Sequence, residues 1–255
     1  MWLPVLFGLA LGLVLNVVAD WLPPRILPRQ DPETGTSGGA ARQPLRWGAL
    51  LLLSTGLVWH LHSATASLPL SGETATAGEG AGLPLLVGAV PVLTYCSLLL
   101  LIATIDLEHR LVPNVLILVG LILAMGFNLL APLRGVAAPL LRDRVQGLTT
   151  AVVGAAAGGG LFLLVALARR NALGAGDVKL ATLIGMLTGF PWVLQALILG
   201  ILLGGVAAAV LLLFRLRGPK HYIPYAPYLA AGAIATLLYG PQIIQWYARL
   251  VGAGG

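Results

Sequence analysis

Cysteine and charge are what this sequence has least of. Its single cysteine, Cys96, lies inside an apolar run. No intramolecular disulfide can form, and no Cys-x-x-Cys metal site exists. Acids are scarcer than bases, 9 Asp and Glu against 15 Lys and Arg, and only 9% of the 255 residues are charged. A soluble domain carries about 25% charged residues, so the shortfall argues against a soluble fold. No basic run is longer than two residues. That removes the footprint of a nucleic-acid binder and leaves the net charge of +6 as topology-setting arginine in short loops. No basic residue precedes the first apolar core and no clear small-residue cleavage site follows it. The N-terminal stretch therefore reads as a retained helix rather than a secretory signal. There is no internal repeat.

What is present is apolar. Hydrophobic residues make up 58% and mean hydropathy is +0.93. Repeated apolar runs near the length that spans a bilayer mark an all-α, polytopic membrane helix bundle. The runs predict about eight membrane segments, at 2–22, 47–62, 83–105, 113–130, 147–168, 177–188, 193–214 and 225–247. The sixth is short and is broken by Gly-Phe-Pro-Trp. The fifth carries Gly-Ala-Ala-Ala-Gly-Gly-Gly, a small-residue face suited to close helix packing. Residues 1–22 thus form a first transmembrane helix, 23–46 a short cytoplasmic loop and 47–255 a transmembrane core. The loop carries Arg25, Arg29, Arg42 and Arg46 against Asp31 and Glu33, which places it inside. The stretch 63–82 has Glu73 and Glu79 and no Lys or Arg, and falls outside. Arg169, Arg170, Arg215, Arg217 and Lys220 fall inside. Arg134, Arg142 and Arg144 run against the rule, on an outside loop.

Two aspartates stand apart from this pattern. Asp177 lies in Leu-Gly-Ala-Gly-Asp-Val-Lys-Leu (173–180), and Asp106 follows the third apolar run. Acids beside membrane helices are costly to keep and so mark function. An odd span ends, and an even span begins, on one side of the membrane. Both aspartates therefore lie at the cytoplasmic boundary, although 71 residues separate them (177 − 106). Two carboxyls sharing one proton supply both the base and the acid that peptide hydrolysis needs. Gly174 and Gly176 would let the backbone bend and approach a partner. Each aspartate alone also has a plain explanation: Asp177 as a helix N-cap, Asp106 paired with Arg110 at i+4.

Four stretches together resemble the type IV prepilin peptidase family, membrane aspartic peptidases with a Gly-x-Gly-Asp motif. They are GLVLNVVADWLP (12–23), ATIDLEHRLVPN (103–114), LGAGDVKL (173–180) and IPYAPYLA (223–230). The second has an Asp followed seven residues later by Pro113. The resemblance implies a catalytic pair, Asp106 and Asp177, supported by Gly174, Gly176 and Pro113. It implies removal of the short leader of prepilins or pseudopilins at the cytoplasmic face of a prokaryotic inner membrane. No cofactor and no metal are implied for the cut. Lys179 is expected to meet lipid phosphate or a helix terminus. Bifunctional members also methylate the new N-terminus, which calls for S-adenosylmethionine. Many of those carry two Cys-x-x-Cys pairs after the first helix, which 23–46 lacks; a zinc knuckle is excluded and methylation is in doubt.

Other polar positions have plainer readings. His60 and His62 do not share a helix face, so no metal site is expected there. Asn16 and Asn128 are expected to hydrogen-bond between helices. Cys96 is expected to pack. Two alternatives stand beside the peptidase reading. One is a proton-coupled carrier using both aspartates as a relay, which places them near mid-bilayer. The other is a non-catalytic family member.

Overall fold

The computed structural model describes residues 3–22, 39–66, 82–130, 144–168, 174–214 and 224–251. These form eight helices: α1 (Leu3–Trp21), α2 (Gly39–Ala66), α3 (Gly82–His109), α4 (Asn114–Leu130), α5 (Arg144–Ala168), α6 (Ala175–Thr188), α7 (Trp192–Leu213) and α8 (Ala226–Leu250). The all-helical expectation holds, with no strand among the described residues. Four helices contain stretches long and apolar enough to cross a membrane: Pro4–Trp21, Val90–His109, Gly147–Ala168 and Trp192–Leu213. The apolar stretch Asn114–Leu129 is shorter. Among the described residues, then, there are eight helices, of which these four meet the length and composition of a span. The 14 residues of α6 rise only about 21 Å, against roughly 30 Å of hydrocarbon.

Several boundaries differ from the sequence reading by three residues or more, and two of these bear on the site. Residues 39–46, expected as loop, belong to α2. The third helix runs on to His109, so Asp106 lies in its last turn rather than in a loop. Nothing in Asp-Leu-Glu-His breaks a helix, and α3 stops only where Arg110 takes φ 54°, a left-handed conformation uncommon for a residue with a side chain. Much of the charge used to orient the chain lies outside the described residues: Arg25, Arg29, Glu73, Glu79, Arg134, Arg142, Arg169, Arg170, Arg215, Arg217 and Lys220.

Close backbone packing joins neighbours in sequence. α1 lies on α2 with Gly12 against Leu51 and Ser54, and Ser54 Oγ donates to the Gly8 carbonyl at 2.8 Å. α5 lies on α6 through the predicted small-residue face. Gly154 and Gly185 face each other backbone to backbone, Gly158 faces the Ala181 carbonyl, and Gly159 faces the Thr182 side chain. α6 is the central element: it packs on α4, α5, α7 and α8, and Leu180, Ala181, Leu183 and Ile184 are fully buried. Gly189 closes it with φ 72°, where glycine costs nothing.

The two asparagines turn inward on their own helices. Asn16 Nδ2 donates to Gly12 O at 2.9 Å and Asn128 Nδ2 to Ala124 O at 2.8 Å. Each amide N–H donates within its own helix instead of bridging two, and Asn16 Oδ1 is buried with no partner among the described residues. Cys96 is buried and free, as expected of a packing residue.

The α5–α6 contact yields a test. Gly154→Val puts a branched side chain into backbone and should destabilise by about 3 kcal/mol or more. Gly160→Ala, on the same helix with open space at its Cβ, should change stability by no more than about 1 kcal/mol. Thermal unfolding in detergent distinguishes them, and equal behaviour of the two would contradict the packing.

Candidate active site

Asp106 is set by the end of α3. The Arg110 N–H donates to the Asp106 carbonyl at 2.8 Å, closing the final turn. The chain then runs through 111–113 into α4. Pro113 stands just before that helix, and its carbonyl accepts from the Leu116 and Ile117 N–H groups. It has no N–H to leave unpaired there. The Asp106 carboxyl is 5% exposed and takes a hydrogen bond from the backbone N–H of Ala226, the first residue of α8. Its Oδ2 is buried with no partner among the described residues. The i+4 pairing with Arg110 is not formed among the described ion pairs, because Arg110 has left the helix.

Asp177 is the third residue of α6, and Gly174 is the N-cap. The Asp177 N–H donates to the Gly174 carbonyl at 3.0 Å, and the Gly174 N–H returns a bond to the Asp177 carboxyl. Asp177 is therefore not the cap itself, though its carboxyl meets the N-cap N–H as the third residue of a capping box does; Gly174 has no side chain to complete the box. It is 7% exposed. Burial holds its carboxyl above the ordinary carboxylate range, with the Gly174 N–H pulling the other way.

The two carboxyls lie within electrostatic reach of one another. Tyr225, immediately before α8, also feels Asp177; burial first, and then that charge, raise its phenol. The Tyr225 ring sits 6.5 Å from that of Phe162, centroid to centroid. Residues 225 and 226 thus stand beside both aspartates, and the N-terminus of α8 faces Asp106.

Two contacts tie the segments that follow and precede the acids. A Cβ on Gly176 would lie 3.2 Å from the Val112 Cβ, so glycine there serves close approach. Gly174 has φ −73°, which any residue adopts, so its backbone asks for no special freedom. Lys179 Nζ donates to Asn114 Oδ1 at 2.8 Å. Its partner is thus Asn114, the first residue of α4 and so a helix terminus.

Sequence reasoning missed Asn114, Tyr225 and the Ala226 N–H. The signal for each was present: Asn114 follows Pro113, and residues 225 and 226 sit inside the C-terminal motif at 223–230. Among the described residues no cluster of His, Cys, Asp and Glu is arranged to hold a metal.

Residues 93–209 match the model of the type IV leader peptidase family. A prepilin leader peptidase/N-methyltransferase of Bacillus subtilis is 30% identical over 63% of this chain and 60% of its own length. One of Pseudomonas aeruginosa is 28% identical over 97% of this chain and 93% of its own length. One of Stutzerimonas stutzeri is 36% identical over 63% of this chain and 52% of its own. The chain therefore spans between about half and nearly all of the relatives it matches. No solved structure matches. The matched segment holds both aspartates, and the Pseudomonas relative aligns along nearly the whole chain: residues 93–209 are similar to the type IV leader peptidase family.

Proposed function

We propose that this chain is a membrane aspartic endopeptidase that removes the N-terminal leader of prepilins or pilin-like proteins at the cytoplasmic face of the cell membrane. The observation that carries the reading is the approach of two buried carboxyls, Asp106 and Asp177, from helices far apart in sequence. Three similar proteins are named prepilin leader peptidases, which supplies the substrate class.

The chemistry follows from a pair that shares one proton. The ionised carboxylate takes a proton from a water molecule as that water attacks the scissile carbonyl carbon. The protonated partner gives its proton to the carbonyl oxygen. The tetrahedral intermediate then collapses: the C–N bond breaks, the amine leaves with a proton from the pair, one hydroxyl of the intermediate returns its proton to the pair as the C=O bond re-forms, and the dyad again holds one proton. The Ala226 N–H and the first turn of α6 face the charge that remains, as helix N-termini do for anions. A membrane substrate must leave its helix to be cut, and the ends of α3 and α6 place the acids where helices stop rather than at mid-helix. That position also weighs against a mid-bilayer proton relay.

The relatives' names add N-methylation, with S-adenosylmethionine as donor. No methyl-transfer step is derived.

Co-expression with a pilin-like precursor, followed by gel shift, tests the cut. Asp106→Asn and Asp177→Asn should each lower cleavage by at least about 100-fold; full cleavage by either variant would end the shared-proton mechanism.

The pH profile gives a second test. A dyad that must keep one proton loses activity as pH rises through its upper apparent pKa. Burial raises Asp177, so the alkaline limb in purified, detergent-solubilised enzyme should fall well above the free-carboxylate value of about 3.9. An alkaline limb at that free value would show that neither acid works from a buried pair.

A further inference from the structure

The Arg46 guanidinium stands where three helices end. It lies in the early part of α2, Asp20 lies at the end of α1, and Glu108 lies in the last turn of α3. Nη1 donates to both Glu108 carboxylate oxygens, at 2.9 and 2.8 Å, and Nη2 donates to Asp20 Oδ1. The arginine side chain is 9% exposed. A planar fork can hold two carboxylates at once in fixed directions, which an ammonium cannot do as well.

An ion cluster whose carboxylates are partly exposed is a poor source of stability, because solvent screens the attraction. Its stronger effect is to fix geometry. Glu108 lies two residues beyond Asp106, and positions two apart on a helix point roughly 200° apart. Asp106 turns to the Ala226 N–H of α8, while Glu108 turns to Arg46 between α1 and α2. No further helical turn follows to steady this one, because Arg110 ends α3 with φ 54°. The terminal turn that carries Asp106 is therefore held from two flanks.

We propose that Arg46 is a positioning residue for the peptidase reaction. Through Glu108 it fixes the last turn of α3, and so the orientation of Asp106 toward Asp177. This gives the α1–α2 hairpin, which lies outside the matched residues 93–209, a task in the reaction beyond anchoring. The inference rests on the peptidase reading above.

The test is steady-state cleavage of a pilin-like precursor by the full chain in detergent, with thermal unfolding of each variant alongside. Arg46→Gln and Glu108→Gln should each lower kcat roughly 10- to 100-fold, as a small misplacement of a reacting group does. KM should stay within about twofold, because the loss is in the transition state rather than in binding. The double variant R46Q/E108Q, which leaves neither partner of that pair charged, should be no worse than either single variant, since both act through one contact. Arg46→Lys should recover part of the rate. Wild-type kcat in either single variant overturns the inference. So do losses that multiply in the double variant, or that only track the fraction of folded protein. A wild type that cleaves no precursor overturns the peptidase reading and this inference with it, whereas a cleaving wild type with an unaffected Arg46→Gln overturns the inference alone.

Discussion

Two carboxylates brought together away from water repel each other, and each loses hydration; in a setting of low dielectric both effects grow. Asp106 and Asp177 are 5% and 7% exposed and feel one another. Left to themselves, the helix ends that carry them would separate until water filled the gap. The fold answers this electrostatically first. Asp106 meets the N-terminal N–H of α8, and Asp177 meets the Gly174 N–H at the start of α6. Two helix N-termini, each with partial positive charge, thus converge on the one place where negative charge is costly. Under the proposed reading a single shared proton relieves the remaining repulsion.

Mechanical restraint comes from packing that tolerates little displacement. α6 cannot slide along α5 without driving Gly154 and Gly185 into side chains, because the backbones already touch there. It cannot withdraw from the start of α4 without opening the Gly176–Val112 approach and the Lys179–Asn114 hydrogen bond. α3 is tied on its other flank through Arg46. These contacts differ in kind. Glycine-lined backbone contact sets distance, while the charged hydrogen bonds set rotation about the helix axis. An aspartate in a terminal turn needs both, since terminal turns fray.

How much of this could be read beforehand depends on the range of each interaction. Helix positions were legible, because apolar runs report burial residue by residue; α5 and α7 fall within a few residues of their expected limits. The glycine face of α5 was legible too, since small residues in a membrane helix have one main use. The true end of α3 was not. Asp106, Glu108 and His109 are polar, and polarity was taken for loop, whereas the helix stops at a backbone conformation of Arg110 that no residue pattern announces. The partners of Arg46 were hidden for a different reason. Glu108 is 62 residues away, and pairing across that separation depends on how helices pack. The same holds for Lys179 and Asn114, 65 residues apart. Asn16 and Asn128 misled because an amide N–H can donate four residues back along its own helix.

The shortness of α6 bears on which of its ends meets water. Fourteen residues rise about 21 Å, short of a bilayer core by roughly 9 Å. Under the proposed reading one end lies below a membrane surface, where backbone groups must find partners within the protein. The chain leaving the C-terminal end finds such partners for its N–H groups. The Gly189 N–H donates to Gly185 O, the Phe190 N–H to Thr150 O on α5, and the Val193 N–H to Gly189 O, while Pro191 has no N–H to satisfy. The N-terminal end carries Gly174, Asp177 and the exposed Lys179 bond, groups suited to an aqueous boundary. Under the proposed reading the deficit in length falls on the Gly-Phe-Pro-Trp side, and the aspartate side stays within reach of the water that hydrolysis consumes. A longer α6 could span without this asymmetry, but its extra turn would have to displace either the turn that packs on α5 or the segment that meets Val112.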